Sequence, residues 1–120
     1  MKKIFLLPLF LCFFFVGMAQ QVQSNLDDQV LVFTKTSGFR HESIETGVAL
    51  IEKLGKQHNF KVTHTEDSLA FNKENLKKYK MVLFLSTTND VLGPSGQKAL
   101  QDFMHNGGSF MGIHAATDTE

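Results

Sequence analysis

Four short strand-like segments, separated by segments of helical pattern, most constrain the fold of this chain. Residues 30–33 and 81–85 are continuous apolar runs, residues 60–65 alternate in polarity, and residues 109–113 form the fourth segment. Continuous apolar runs are typical of strands that are buried on both faces of a parallel sheet. The order β-α-β-α-β-α-β predicts an α/β fold, in which a parallel sheet carries helices on both faces.

The segments between these strands have the signals of helices. Apolar residues recur at helical spacing in residues 43–57, which predicts an amphipathic helix that Asn59 ends. Asn72 can cap a short helix that extends through Tyr79. Pro94 suits the first turn of a third helix, and a pair of glycines stops that helix.

Residues 1–19 have the pattern of a secretory signal peptide. Two lysines precede a short apolar run, and Gly17 and Ala19 are the small residues that a cleavage site requires. A spanning helix needs about 20 apolar residues, and this run is shorter. We therefore expect export to the periplasm or the medium, cleavage after Ala19 and no stable membrane span afterwards. Residues 20–29 are polar, which predicts a flexible lead-in.

The composition excludes two classes of function. The chain has 12 Lys+Arg and 12 Asp+Glu, and its first 19 residues contain two of the basic residues and none of the acidic ones, so the cleaved chain carries a net charge of −2. This balance excludes a nucleic-acid binder that works through a basic surface. Cys12 is the single cysteine and leaves with the signal peptide, which removes every cysteine-based mechanism from the rest of the chain.

Polar and titratable residues follow each predicted strand. Ligands of open parallel sheets bind at the carboxyl ends of the strands, so these residues are the candidates for a functional site. In chain order the candidates are Arg40, His41, Glu66, Asp67, Thr88, His114 and Asp118.

His114 lies in a turn that resembles a nucleophile elbow. Small residues flank it in the run Gly112-Ile113-His114-Ala115-Ala116, and this layout exposes one side chain at the end of a strand. Histidine there can act as a general acid, a general base or a metal ligand. A strand-end histidine that is hydrogen-bonded in place fits the pattern equally well. Asp118 can orient His114 or cap the next helix.

The remaining candidates have alternatives of their own. His41 precedes a helix and can face solvent, and Arg40 can bind an anionic or polyhydroxylated ligand or remain a surface charge. Glu66 and Asp67 can supply a carboxylate or be solvated. We interpret three other histidines as structural: His58, His64 and His105.

Several of these motifs together resemble the ThuA-like, or trehalose utilisation, family. They are Gly38-Phe39-Arg40-His41-Glu42-Ser43-Ile44, Thr65-Glu66-Asp67, residues 85–92 and residues 107–118. The resemblance covers about residues 30–120 and implies a flavodoxin-like, class I glutamine amidotransferase-like fold with His114 in place of the nucleophilic cysteine. It also implies a link to trehalose, related disaccharides and their 3-keto derivatives. The implied pocket residues are His41, Glu66, Asp67, His114 and Asp118.

The family domain continues beyond residue 120, so we expect residues 30–120 to be the N-terminal part of a longer domain, with additional domains in the full-length protein an open question. The leading hypothesis is an exported enzyme that acts on a disaccharide or keto-sugar as an isomerase, lyase or hydrolase. His114 would then be the acid/base or ligand with Asp118 as its partner, and His41 the second catalytic or binding group.

A divalent metal held by His41, His114 and Asp118 would help to polarise a sugar carbonyl, although no closely spaced ligand pair supports it. One alternative is a non-catalytic carbohydrate-binding module. Another is a flavin or nucleotide binder, because Thr34-Lys35-Thr36-Ser37-Gly38 has hydroxyls and a glycine after a first strand, as in the phosphate loop of flavodoxins. Phe39 and Arg40 depart from that loop pattern.

Overall fold

The computed structural model describes residues 28–119. The predicted signal peptide, its cleavage site and residues 20–27 of the predicted lead-in lie outside the described residues. The elements are β1 (Gln29–Phe33), α1 (Ser43–His58), β2 (Lys61–Thr65), a 3-10 turn (Ser68–Ala70), α2 (Lys73–Leu76), β3 (Met81–Leu85), α3 (Gly93–His105), β4 (Ser109–Ile113) and a second 3-10 turn (Ala116–Asp118).

The four strands form one parallel sheet in the order β2-β1-β3-β4. This order is flavodoxin-like and confirms the predicted fold. The chain switches direction between β1 and β3, so the crevice in which such folds bind ligands lies between the carboxyl ends of these two strands. The loops after β1 and β3 meet there.

Two apolar layers hold helices against the two faces of the sheet, as predicted. Helix α1 packs its apolar stripe on the face that carries Val32 and Leu83. On the other face, Phe33, Phe71 and Phe84 form a cluster of edge-to-face and tilted rings. Helices α2 and α3 complete that layer through Leu76, Leu100 and neighbouring residues. Both layers bury residues of β1 and β3, so these two strands are the rigid centre of the fold.

Four element boundaries differ from the sequence prediction, and one of them is the start of β2, which is Lys61 instead of residue 60. Strand β1 begins one residue early, at Gln29, whose carbonyl accepts a hydrogen bond from the N–H of Lys80. Helix α1 runs through His58, and Asn59 ends it in the left-handed conformation with φ 58°. Helix α2 stops at Leu76 instead of continuing through Tyr79, because the following residues make tight turn bonds before the chain enters β3.

Strand β4 is the least buried strand, although its sequence is largely apolar. All of its residues are exposed, and its three large side chains, Phe110, Met111 and Ile113, are 38–45% accessible. Among the described residues, β4 pairs with β3 alone. Within residues 28–119, no helix combines the length and the apolar character needed to span a bilayer.

Candidate functional site

Because the four strands are parallel, the loops that follow them meet at one edge of the sheet, the carboxyl edge. Three of the four non-glycine residues with positive φ in the described chain lie at this edge: Ser86 (52°), Asn89 (58°) and Ala115 (65°). Such conformations cost of order 1 kcal/mol or more for residues with a side chain, and they concentrate at functional sites. The backbone therefore marks the same edge that the sequence predicts.

His41 and His114 contact each other at this edge. Their ring centroids are 4.8 Å apart, and the rings meet at 72°, edge to face. His41 is half-buried at the end of the loop after β1, and His114 is exposed after β4. The fold thus brings together the two histidines that the sequence singles out, although 73 positions separate them.

The turn around His114 has the small residues that an elbow requires. Ala115 takes the left-handed conformation, and the N–H of Asp118 donates to its carbonyl at 2.8 Å. A Cβ on Gly112 would lie 3.0 Å from Cβ of Ala116, so the turn closes tightly against the strand. Ala115, the left-handed residue, directly follows His114. Within the described residues it leads into a short 3-10 turn and not into a longer helix.

Thr88 fastens the loop after β1 to the loop after β3. Its Oγ1 accepts from the N–H of Gly38 at 3.2 Å and donates to the carbonyl of Phe39 at 3.1 Å. Its carbonyl accepts from the N–H of Ser37 at 3.0 Å, and the residue is 4% exposed. Thr88 therefore acts on the site by positioning this loop. A direct contact between Thr88 and a substrate stays a prediction.

The same bonds argue against a phosphate loop at residues 34–38. A phosphate loop presents free backbone N–H groups to the anion. Here the N–H groups of Ser37 and Gly38 donate to Thr88, and the Ser37 hydroxyl donates to the carbonyl of Asp90 at 2.8 Å. These groups are engaged within the protein, which disfavours the flavin or nucleotide alternative.

Arg40 bridges two carboxylates. Its Nη1 donates to Oε1 of Glu66 at 2.8 Å, and its Nη2 donates to Oε1 of Glu45 at 2.8 Å. The hydrogen bond to Glu45, followed by that to Glu66, raises the pKa of Arg40 above its ordinary value. The hydrogen bond from Arg40 lowers the pKa of Glu45. Two of the predicted substrate-binding residues, Arg40 and Glu66, are thus partners of each other.

Sequence reasoning missed two members of this network, Thr34 and His64. The buried Thr34 hydroxyl donates to Oε1 of Glu66 at 3.1 Å and lies 2.7 Å from Nε2 of His64. With the hydroxyl proton directed to Glu66, Nε2 of His64 is the donor in its bond to Thr34. In the parallel register of the sheet, His64 on β2 is the partner of Val32 on β1. This register brings the His64 side chain to Thr34, which directly follows β1. Register was the signal that could have revealed this contact.

The two remaining candidates, Asp67 and Asp118, have other surroundings than the predicted ones. Oδ1 of Asp67 accepts from the N–H of Leu69 at 2.9 Å and caps the first 3-10 turn. Asp118 lines a shallow recess with Ser37, Asn89 and Asp90. Within residues 28–119 the structure places no hydrogen bond between Asp118 and His114, so its orienting role stays a prediction.

The described residues do not assemble a metal site from His41, His114 and Asp118. No group of three or more His, Cys, Asp or Glu side chains in residues 28–119 has an arrangement that could hold a metal ion. Structural and catalytic zinc sites use at least three protein ligands. The two imidazoles form a pair without a third ligand among residues 28–119.

The fold and the polar carboxyl edge define a flavodoxin-like α/β domain with a histidine at its elbow. The sequence matches the family described as ThuA, trehalose utilisation, over residues 29–120, and the chain belongs to this family. A solved structure of a ThuA-like protein from Bacteroides uniformis ATCC 8492 has a similar fold, with a TM-score of 0.66 and 20% sequence identity. The match covers 83% of this chain and 41% of that one, so this chain spans less than half the length of its structural relative. A comparison with curated proteins gives no match.

Proposed function

We propose that this ThuA-like domain acts on a disaccharide or keto-sugar by acid/base chemistry through His41 and His114. The observation that carries the proposal is the contact between the two rings, 4.8 Å apart, at the carboxyl edge of the sheet. The family description, trehalose utilisation, supports the substrate class. Imidazole suits the chemistry because its ordinary pKa lies closest to neutral pH among side chains.

The proposed step on a keto-sugar is a proton transfer beside the carbonyl. One imidazole removes the proton from the carbon next to the carbonyl, and the electron pair of that bond forms an enol or enediol. The partner imidazole donates a proton to the carbonyl oxygen. In an isomerisation, the former carbonyl carbon takes up a proton while the hydroxyl on the first carbon loses one and becomes the new carbonyl. In an elimination, the enol hydroxyl loses its proton, the carbonyl reforms, and the leaving group departs from the carbon on the other side of the new double bond and takes up a proton. A pair of neighbouring imidazoles supplies both the base and the acid.

A non-catalytic carbohydrate-binding module is the second candidate function. Phe39 supports it, because this side chain is 70% exposed and packs edge to face on His41. An exposed aromatic ring beside polar groups is suited to binding a sugar ring. The two candidates differ in turnover, which only the first requires.

Export is part of the proposal, and its support is the signal-peptide pattern in residues 1–19. The mature protein is expected to begin at Gln20. N-terminal mass mapping of the exported protein tests this expectation. Recovery of the protein with Met1 in place would contradict it.

The experiment that tests the acid/base role replaces His114 with alanine in the full-length protein. We expect turnover of 3-keto-trehalose to fall by about 10²-fold or more, which is typical for loss of a general acid or base. The melting temperature should change little, because His114 is exposed and packs little surface. His105→Ala, at the exposed end of α3, is the matched control and should retain full rate.

The opposite outcome is equally clear. If His114 is only a structural residue, His114→Ala lowers the melting temperature and leaves the rate per folded molecule unchanged. Full turnover by a folded His114→Ala variant would remove this residue from the mechanism. Wild-type protein that binds trehalose and turns over neither trehalose nor its 3-keto derivative would favour the binding module.

A further inference from the structure

Phe39 is the most exposed phenylalanine among residues 28–119, and the proposed acid/base step does not use it. It is 70% exposed, although burial of a phenylalanine side chain stabilises a protein. Its ring contacts the ring of His41, with centroids 4.8 Å apart at 83°, and His41 in turn contacts His114. Most of the Phe39 side chain therefore remains accessible beside the histidine pair.

The backbone that presents Phe39 is held on both sides. The carbonyl of Phe39 and the N–H of Gly38 both bond to the buried Thr88 hydroxyl. A Cβ on Gly38 would lie 2.6 Å from Nδ2 of Asn89, so the loop approaches the β3 loop closely and a side chain at that position would displace the end of the Asn89 side chain. The exposed ring thus projects from a loop that is fastened to the rigid centre of the sheet.

An exposed ring on a fastened loop suits a ligand with one apolar face and a polar rim. A pyranose ring has this form, because its axial C–H groups make an apolar face and its hydroxyls point outward. Arg40, the next residue in the chain, forms an ion pair with Glu66 at the same edge. The guanidinium and the carboxylate can both hydrogen-bond to the hydroxyls of a sugar. A nucleotide fits less well, because the N–H groups that would hold its phosphates are engaged by Thr88.

We infer that Phe39 is the stacking platform for a pyranose ring, which it places against His41 and His114. The inference rests on the proposed function for the sugar class, and it assigns binding to Phe39 and proton transfer to the histidines. Phe39 is accordingly a specificity-determining residue that contributes to affinity. A flat aromatic ring is the property required at this position, and any side chain that keeps the ring should keep the binding.

The test measures trehalose binding by calorimetry, and turnover of 3-keto-trehalose, in full-length variants. Phe39→Ala should weaken binding of trehalose by about tenfold, the scale of an aromatic contact. Phe39→Ala should also raise KM with little change in kcat. Phe39→Trp should return the affinity for trehalose and KM to their wild-type values. Leu69→Ala is the matched control, because Leu69 is also an exposed apolar side chain, at 82%, in the first 3-10 turn. Its binding should equal that of the wild type.

The result separates this inference from the proposed function. Unchanged binding and KM in Phe39→Ala, or a lower melting temperature as its only effect, would overturn the platform and leave the histidine chemistry standing. Weaker binding in Phe39→Ala together with full turnover in His114→Ala would leave the platform standing and overturn the acid/base role. Wild-type protein that binds neither trehalose nor 3-keto-trehalose would overturn both.

Discussion

The contacting histidines His41 and His114 at the carboxyl edge of the sheet and the histidines His58 and His105 at its amino edge form two pairs that lie in different surroundings. At the carboxyl edge, His41 and His114 come from different loops and their rings contact each other. At the amino edge, His58 and His105 are the last residues of α1 and α3, and no ring contact joins them within residues 28–119. Cationic side chains at helix ends are common because they complement the helix dipole. The amino-edge pair therefore needs no functional explanation.

The backbone shows the same contrast. At the amino edge the left-handed positions are Asn59 and Gly107, residue types that adopt this conformation readily where a helix ends. At the carboxyl edge the left-handed positions include Ser86 and Ala115, which adopt it at a cost. At the amino edge, the residue types therefore suit their backbone conformations. The carboxyl edge holds its loops in place despite local strain.

The largest expected effect on turnover comes from His41, the second histidine of the contact pair. His41→Gln should lower turnover of 3-keto-trehalose by about 10²-fold, whereas His58→Gln at the amino edge should not change it. Because His41 and His114 are proposed to act as a unit, the double variant should lose no more than the more damaging single variant. Steady-state rates of the wild type, His41→Gln, His114→Ala and the double variant test this, with His58→Gln as the control. Losses that multiply would show that the two histidines act independently.

The next largest effect concerns Thr88 at the carboxyl edge and Asn106 at the amino edge, whose side chains both hydrogen-bond to the backbone. Thr88→Val leaves the N–H of Gly38 and the carbonyl of Phe39 without their buried partner, at a cost of about 1–3 kcal/mol in the free energy of unfolding. Asn106 also bonds to backbone, but it is exposed, so Asn106→Ala should cost less. Denaturant unfolding measures both. Thr88→Ser should recover most of the loss, and equal costs at the two edges would contradict the comparison.

Glycines at the two edges should separate stability from activity. A Cβ on Gly108 would meet the Phe103 ring at 2.3 Å, so Gly108→Ala must displace that ring and destabilise the protein by about 1–2 kcal/mol without changing the rate per folded molecule. Gly38→Ala meets the end of the Asn89 side chain, which can move. It should cost less stability and weaken trehalose binding by shifting the loop. Binding that is unaffected in Gly38→Ala would show that the loop tolerates the shift.

The smallest effect is electrostatic. Arg40→Met should raise the pKa of Glu45 towards its ordinary value of 4.5, because the hydrogen bond from Arg40 is the largest cause of its lowering and the backbone hydrogen bond remains. The stabilisation that Glu45 gains from Arg40 is fully present above pH 4.5 and is lost as the pH falls through the lowered pKa of the folded state. Carboxyl-carbon NMR titration measures this pKa in both proteins. Lys77→Met, which removes the partner of Glu74, is the matched control for a single ion pair.

The carboxyl edge as a whole could be predicted, and the individual contacts in it could not. Strand periodicity is local, so the sequence predicts four parallel strands and places the candidate residues at their carboxyl ends. The bonds of Glu66 to Arg40 and Thr34 span 26 and 32 positions and depend on the path of the loop after β1. His64 was interpreted as structural, and its bond to Thr34 depends on the register of β2.

By itself, the sequence determines the order of the elements, the buried character of β1 and β3, the face that α1 packs on the sheet and the elbow of small residues around His114. These follow from short-range patterns of apolar, β-branched, glycine and capping residues. Only the tertiary structure decides that His41 meets His114, that Thr88 fastens the loop that exposes Phe39, and that apolar β4 is exposed. The physical reason is that contact and burial depend on which elements lie next to each other in space, and the strand order β2-β1-β3-β4 sets those neighbours.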